Sequence, residues 1–317
     1  MKSSKIAVTH ASGLLAEALL ERMAESGIKS DSVILLDREQ QAGNRLSYGD
    51  TYLTVEDQYE YDYEDLAAVL LLEPDAELES LLQHADCFVI SHHVDKVNNS
   101  VFTPEITEES NLPEQPCTLK LASAELSTLL LVTKVIENNF GLKSLNVVNV
   151  FSSSFYGKTG VEELASQTIS LLNSQDAKST VFPLQLAFNM IPDGDESIVE
   201  EQLVSALQAD DLKCSVQNIL VPAFHGLSIS VSLKMNSEVD IEKISSLLNE
   251  QQGIRIVEQT ISPLTDCKTG SDVLISGLYQ PQNDFNRLQF WIVADSVRNG
   301  LIQNYLNMLE ILLKSYL

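Results

Sequence analysis

The chain has 317 residues, 44% of them hydrophobic, and its 45 acidic against 20 basic side chains give a formal charge of -25. That length is about twice a usual domain, so two cores are expected, and the apolar fraction excludes a disordered chain. So acidic a surface excludes nucleic acid and anionic membrane as partners, while no apolar run reaches the roughly 18 residues of a membrane span and no signal-peptide core follows the start, so a cytoplasmic protein is expected.

Lys5–Thr9 reads as a short apolar strand, Gly13–Ser26 carries helical periodicity through Leu14, Leu15, Ala18, Leu19 and Met23, and Ser32–Leu36 is a second strand. Together they make a βαβ unit of a doubly wound sheet. Asp57–Asp65 mixes acidic residues with three tyrosines and suits a solvated connection or edge strand better than a core element. Leu78–His84 looks helical, Asp86–Ile90 is a buried strand, and Cys117–Leu121 is a candidate closing strand. A long helix from Ser127 leads into the strand Leu145–Phe151. Leu220–Lys234 and Arg287–Ala294 alternate as long strands, with helices Ile198–Gln208 and Ile241–Glu250 between them, which points to an α+β domain on a largely antiparallel sheet. The last helix, Ser296–Leu317, is expected to return to the first domain. Cys87, Cys117, Cys214 and Cys267 form no CxxC pair and read as reduced, mostly buried thiols.

Six stretches carry a resemblance along nearly the whole chain. They are KIAVTHASGLLAEALLE, AGNRLSYGDTYLTVED, GKTGVEELASQT, AFNMIPDGDES, LVPAFHGLSISVSL and RLQFWIVADSVRNG. In this order and spacing the chain resembles the aspartate-semialdehyde dehydrogenases, and within them a Usg-like degenerate homologue. The resemblance implies a fold of the α/β class: a Rossmann-type doubly wound NAD(P)-binding-like domain over 1–126 and 297–317, with an inserted α+β substrate and dimerisation domain over 127–296. It also implies a homodimer and, in the active members of this amino-acid biosynthesis family, NADP-dependent oxidation through a cysteine thiolate and a histidine.

The positions that match those roles are apolar or neutral. Leu126 stands where the nucleophilic cysteine is expected, Leu227 where the general base is expected, and Phe151 where a glutamine is expected. The substrate-carboxylate arginine matches Leu220 and the phosphate arginine matches Thr103. An acidic-then-lysine pattern falls on Glu200-Glu201-Gln202-Leu203, which keeps the acid and lacks the lysine. Ser127 lacks an adjacent base and reads as a helix N-cap. His225 lies two places before Leu227, where strand alternation would put both on one face about 6–7 Å apart. It reads as structural more readily than as a shifted base. Cys117 lies too far along extended chain to replace the nucleophile, and His92 and His93 with Asp95 lack a fourth metal ligand.

The glycine loop reads His10, Gly13, Ala16 where GxxGxxG is expected, so His10 occupies the tight turn and needs no other role. The residues left to hold a dinucleotide are Ser12, Gly13, Leu14 and Arg38. Gln40 replaces the arginine for a 2′-phosphate, while Asp37 is the type that bonds an unphosphorylated ribose. The open loop near the nicotinamide matches Ser91-His92-His93-Val94, which is filled. These cues imply no resident cofactor and at most weak binding of NADP or NAD. Three functions compete: a pseudoenzyme kept as a homodimeric scaffold for an unidentified protein partner, an oxidoreductase-like enzyme with a rebuilt site at His225, His92 or Cys117, and a residual NAD(P) sensor. The missing nucleophile favours the first.

Overall fold

The computed structural model describes residues 5–92, 117–193, 196–267, 272–295 and 300–316. They fall into two compact units, Met1–Ser123 with Leu301–Leu317, and Ala124–Gly300.

The first unit opens with β1 (Ile6–Val8), α1 (Leu14–Glu25) and β2 (Val33–Asp37). A hairpin follows, β3 (Arg45–Tyr48) and β4 (Thr51–Asp57), turning through the two residues Gly49 and Asp50. Then come β5 (Ala68–Leu71), α2 (Ala76–Leu82), β6 (Phe88–Ser91) and β7 (Thr118–Lys120). The sheet order is β3-β4-β2-β1-β5-β6-β7, parallel except for the β3/β4 pair. β1, β5 and β6 are buried at every position, as expected of parallel strands at the centre of an α/β sheet. α1 buries Ala16, Leu19, Leu20 and Met23, one stripe at helical spacing. This is the expected Rossmann-type sheet. β1 lies where the strand order reverses, so the crevice of such a fold opens at the carboxyl ends of β1 and β5.

Two elements depart from the sequence reading. Asp57–Asp65 is a connection with Glu60, Asp62, Glu64 and Asp65 exposed, but it also enters the core: Gln58 and Tyr63 are buried, and Tyr63 packs with Leu36, Leu66 and Leu78 while its hydroxyl donates to Gln58 O at 2.6 Å. The strand β5 had not been anticipated, although AVLL is a short apolar run of the kind a central strand needs. The last helix, Gln303–Tyr316, does belong to this unit. Tyr305 is fully buried in it and donates to Leu71 O at 2.9 Å.

The second unit contains α3 (Ala124–Phe140), β8 (Leu142–Phe151), α4 (Gly157–Leu172), β9 (Ile191–Pro192), α5 (Glu196–Leu207), β10 (Lys213–Leu220) and β11 (Leu227–Met235). After these come α6 (Ile241–Glu250), β12 (Ile254–Ile256), α7 (Pro263–Asp266), β13 (Val273–Tyr279) and β14 (Arg287–Ala294). Its sheet runs β12-β13-β14-β11-β8-β10-β9, with β8/β10 and β12/β13 parallel and the other pairs antiparallel. The largely antiparallel α+β sheet is therefore present.

The run Leu220–Lys234, read as one long strand, is the last residue of β10, a loop over 221–226 and most of β11, with β10 and β11 on opposite sides of β8. Pro222 cannot donate to a ladder, and Gly226 adopts φ +102° where a Cβ would collide with the Pro263 ring, so the strand is interrupted there and only glycine fits. The loop 221–226 crosses the end of β8, tied by Val221 N–H to Phe151 O at 2.9 Å and by Ser153 N–H to Ala223 O at 2.8 Å.

Strand alternation gives this sheet two unlike faces. One carries Leu145, Val147, Phe151, Leu220, Leu227, Ile229, Val231, Phe290 and Ile292, all buried, and α3 and α5 pack against these strands. The other carries Ser228, Ser230, Ser232, Gln217 and Gln289 beside Val148, Val150 and Trp291, and much of it is half-buried or exposed.

Candidate functional site

The strand register assembles three of the matched positions. Phe151, the last residue of β8, pairs with Leu220 on one side and Leu227 on the other, and Leu227 pairs with Ala294. Directly paired residues point to the same face, so Leu220, Phe151, Leu227 and Ala294 form one continuous row at the end of the sheet. All four are buried, and the Phe155 ring stacks on Phe151 at 4.1 Å. Burying each leucine contributes about 1.5–3 kcal/mol, so the row is a piece of core. It offers neither a proton acceptor nor a cation.

Leu126 is fully buried in the first turn of α3. The helix begins at Ala124, three residues ahead of the expected start, so Ser127 lies inside it rather than capping it. Cys117 immediately precedes β7 in the first unit, and burial pushes its thiol above the ordinary range, away from a reactive thiolate. Glu200, the acid kept on α5, accepts the Val216 N–H of β10 at 2.8 Å, while Gln202 and Leu203 beside it are buried. That carboxylate serves the edge of the sheet. His225 is exposed in the crossover loop, so the strand alternation invoked to set it beside Leu227 does not apply.

In the first unit Ser12, Gly13 and Leu14 come together at the β1–α1 turn, and Arg38 follows the neighbouring β2 with its side chain exposed. His10 keeps the backbone that a glycine would take there, with φ 51°. It is not an idle loop residue. It is buried, with Nδ1 3.2 Å from Thr9 Oγ1 and Nε2 3.3 Å from Asp75 Oδ2. Asp75 also accepts from the Leu78 N–H, the Tyr59 hydroxyl and the Gln58 amide. Burial works to raise the Asp75 carboxyl, but these donors and His10 outweigh it and hold it below the usual range.

Every amide from Thr9 to Gly13 has an internal acceptor: Leu70 O, Gln58 Oε1, Leu36 O, Asp37 Oδ2 and His10 O in turn. Asp37, the type expected on a ribose, accepts from Arg38 N–H through its other oxygen at 2.8 Å. A Cβ on Gly13 would meet Glu73 Oε1 at 3.1 Å, which puts another carboxylate at the start of α1. A dinucleotide pyrophosphate docks on the first N–H groups of α1, where it would meet the Glu73 carboxylate, so these residues do not fit the cofactor that the fold implies. Glu73, Asp75 and Gln58 were missed in sequence because β5 was missed. The loop facing the β1–α1 turn follows β5 rather than β6, which corrects the placement of the filled loop at Ser91-His92-His93-Val94. His92 lies instead 2.8 Å from the Tyr305 hydroxyl through Nδ1. Thr103, His93 and Asp95 lie outside the described residues. Among the described residues no group of three His, Cys, Asp or Glu side chains is arranged to hold a metal ion, and no helix is long and apolar enough to cross a membrane.

The family model described as "Semialdehyde dehydrogenase, dimerisation domain" matches residues 134–299. The aspartate-semialdehyde dehydrogenase of Rickettsia bellii is 28% identical over 100% of this chain and 99% of that protein. A protein named USG-1 protein homolog from Azotobacter vinelandii is 26% identical over 98% of this chain and 97% of its own length. Among solved structures, aspartate semialdehyde dehydrogenase II from Vibrio cholerae has a TM-score of 0.89 at 22% identity, covering 99% of each chain. A probable aspartate-semialdehyde dehydrogenase from Pseudomonas aeruginosa has the same TM-score at 25% identity, also covering 99% of each chain. With a model covering more than half its length and relatives matched from end to end, the chain belongs to the semialdehyde dehydrogenase family.

Proposed function

We propose that this chain is a catalytically silent, cytoplasmic homodimer, which keeps the scaffold of the semialdehyde dehydrogenases without their reaction and serves as a platform for a protein partner. The observation that carries the reading is the buried row Leu220–Phe151–Leu227. A carboxylate-binding arginine, a polar orienting group and a base cannot be replaced by three buried hydrocarbon side chains, and Leu126 cannot form a covalent adduct with an aldehyde. The Glu73 carboxylate at the start of α1 supports the loss of the dinucleotide as well. A rebuilt site at His225 or Cys117 draws no support, the one being exposed in a loop and the other having a raised thiol.

The dimer is assigned to the open face of the second sheet. That face mixes serines of β11 with Val148, Val150 and Trp291, and the matched family domain is named for dimerisation. Two-fold pairing of like faces is the commonest closed symmetry, and an obligate contact of this kind should bury upwards of about 2,000 Å².

The test is phosphate-dependent oxidation of aspartate semialdehyde with NADP or NAD. No turnover is expected, nor in a Leu126→Cys/Leu227→His double variant, whose arginine positions stay empty of charge. A wild-type rate of even about 0.01 per second, a thousandth of a typical turnover number, would overturn the proposal.

A further inference from the structure

No further inference is drawn: the strongest candidate, the surface patch of the first unit where Glu60, Asp62, Glu64 and Asp65 stand exposed beside the half-buried Tyr59 and Tyr61, is an acidic cluster, and among the described residues nothing else points to a cationic ligand or partner there.

Discussion

At the end of β1 every amide from Thr9 to Gly13 finds an acceptor inside its own unit, and three carboxylates, Asp37, Glu73 and Asp75, stand around the turn. At the end of β8 the opposite has happened, and Leu220, Phe151, Leu227 and Ala294 close the sheet with hydrocarbon. On the proposed reading the first region opposes its ligand with carboxylates, and the second replaces polar groups with core. The difference matters for reversal. A polar turn that keeps its backbone, as His10 does at φ 51°, can be reopened by removing side chains. An apolar row must instead be made to accept charge, which a packed interior resists.

The largest expected effect follows from that resistance. Leu220→Arg/Leu227→His, which puts into the row the two side chains that the resemblance implies, should cost about 3–5 kcal/mol, because a guanidinium and an imidazole enter a core with no partner. In a chain of this size the thermal midpoint should fall by roughly 4–8 °C. A melt within 2 °C or so of wild type would mean that water reaches the row.

Next in size is Glu163→Gln on α4, where a carboxylate collects the backbone donors of Thr180, Val181 and Phe182. Loss of these charge-assisted bonds should cost about 2 kcal/mol near neutral pH. Burial works to raise the Glu163 carboxyl, but the hydrogen bonds outweigh it and hold it below its ordinary value of 4.5. A carboxyl whose folded value is depressed contributes stability above its unfolded value and loses it as pH falls through the folded one. The gap between wild type and Glu163→Gln should therefore be full above about pH 5 and narrow below about pH 4. Denaturant melts at several pH values would read it, and a constant gap down to acid pH would contradict the assignment.

The smallest expected effect is at the turn. His10→Gly/Glu73→Ala relieves the positive φ and removes the carboxylate over Gly13, so NADP affinity should improve about tenfold, or 1.4 kcal/mol, from a wild-type value weaker than about 1 mM. Calorimetric titration of both proteins would measure it. If the wild type already binds near 1 μM, the carboxylate at the start of α1 does not exclude the cofactor.

Much of the fold was legible along the chain because its signals are local. The stripe of α1, the alternation of Arg287–Ala294 and the helix Ile241–Glu250 need only a few neighbouring residues to be recognised. The β3–β4 hairpin was not anticipated, although Gly49-Asp50 between two alternating runs is a two-residue turn signal. Leu220–Lys234 was read as one strand because alternation continues by chance through Pro222 and Phe224. Pro222 and the shift of apolar positions from even to odd mark the break locally, while the approach of Pro263, 37 residues along the chain, shows why residue 226 is glycine.

By itself the sequence determined which side chains stand at the matched positions, since a leucine at 126 or 227 is apolar in any fold, and it determined the two-part architecture through periodicity and motif order. The tertiary structure decided what those side chains do. Ser12 meets Asp37 across 25 residues, His10 meets Gln58 across 48 and Asp75 across 65, and Leu220, Phe151 and Leu227 become neighbours only through strand register. Hydrogen-bond partners and cross-strand neighbours are set by which strands adjoin, and that is a property of the whole packed chain rather than of any window along it.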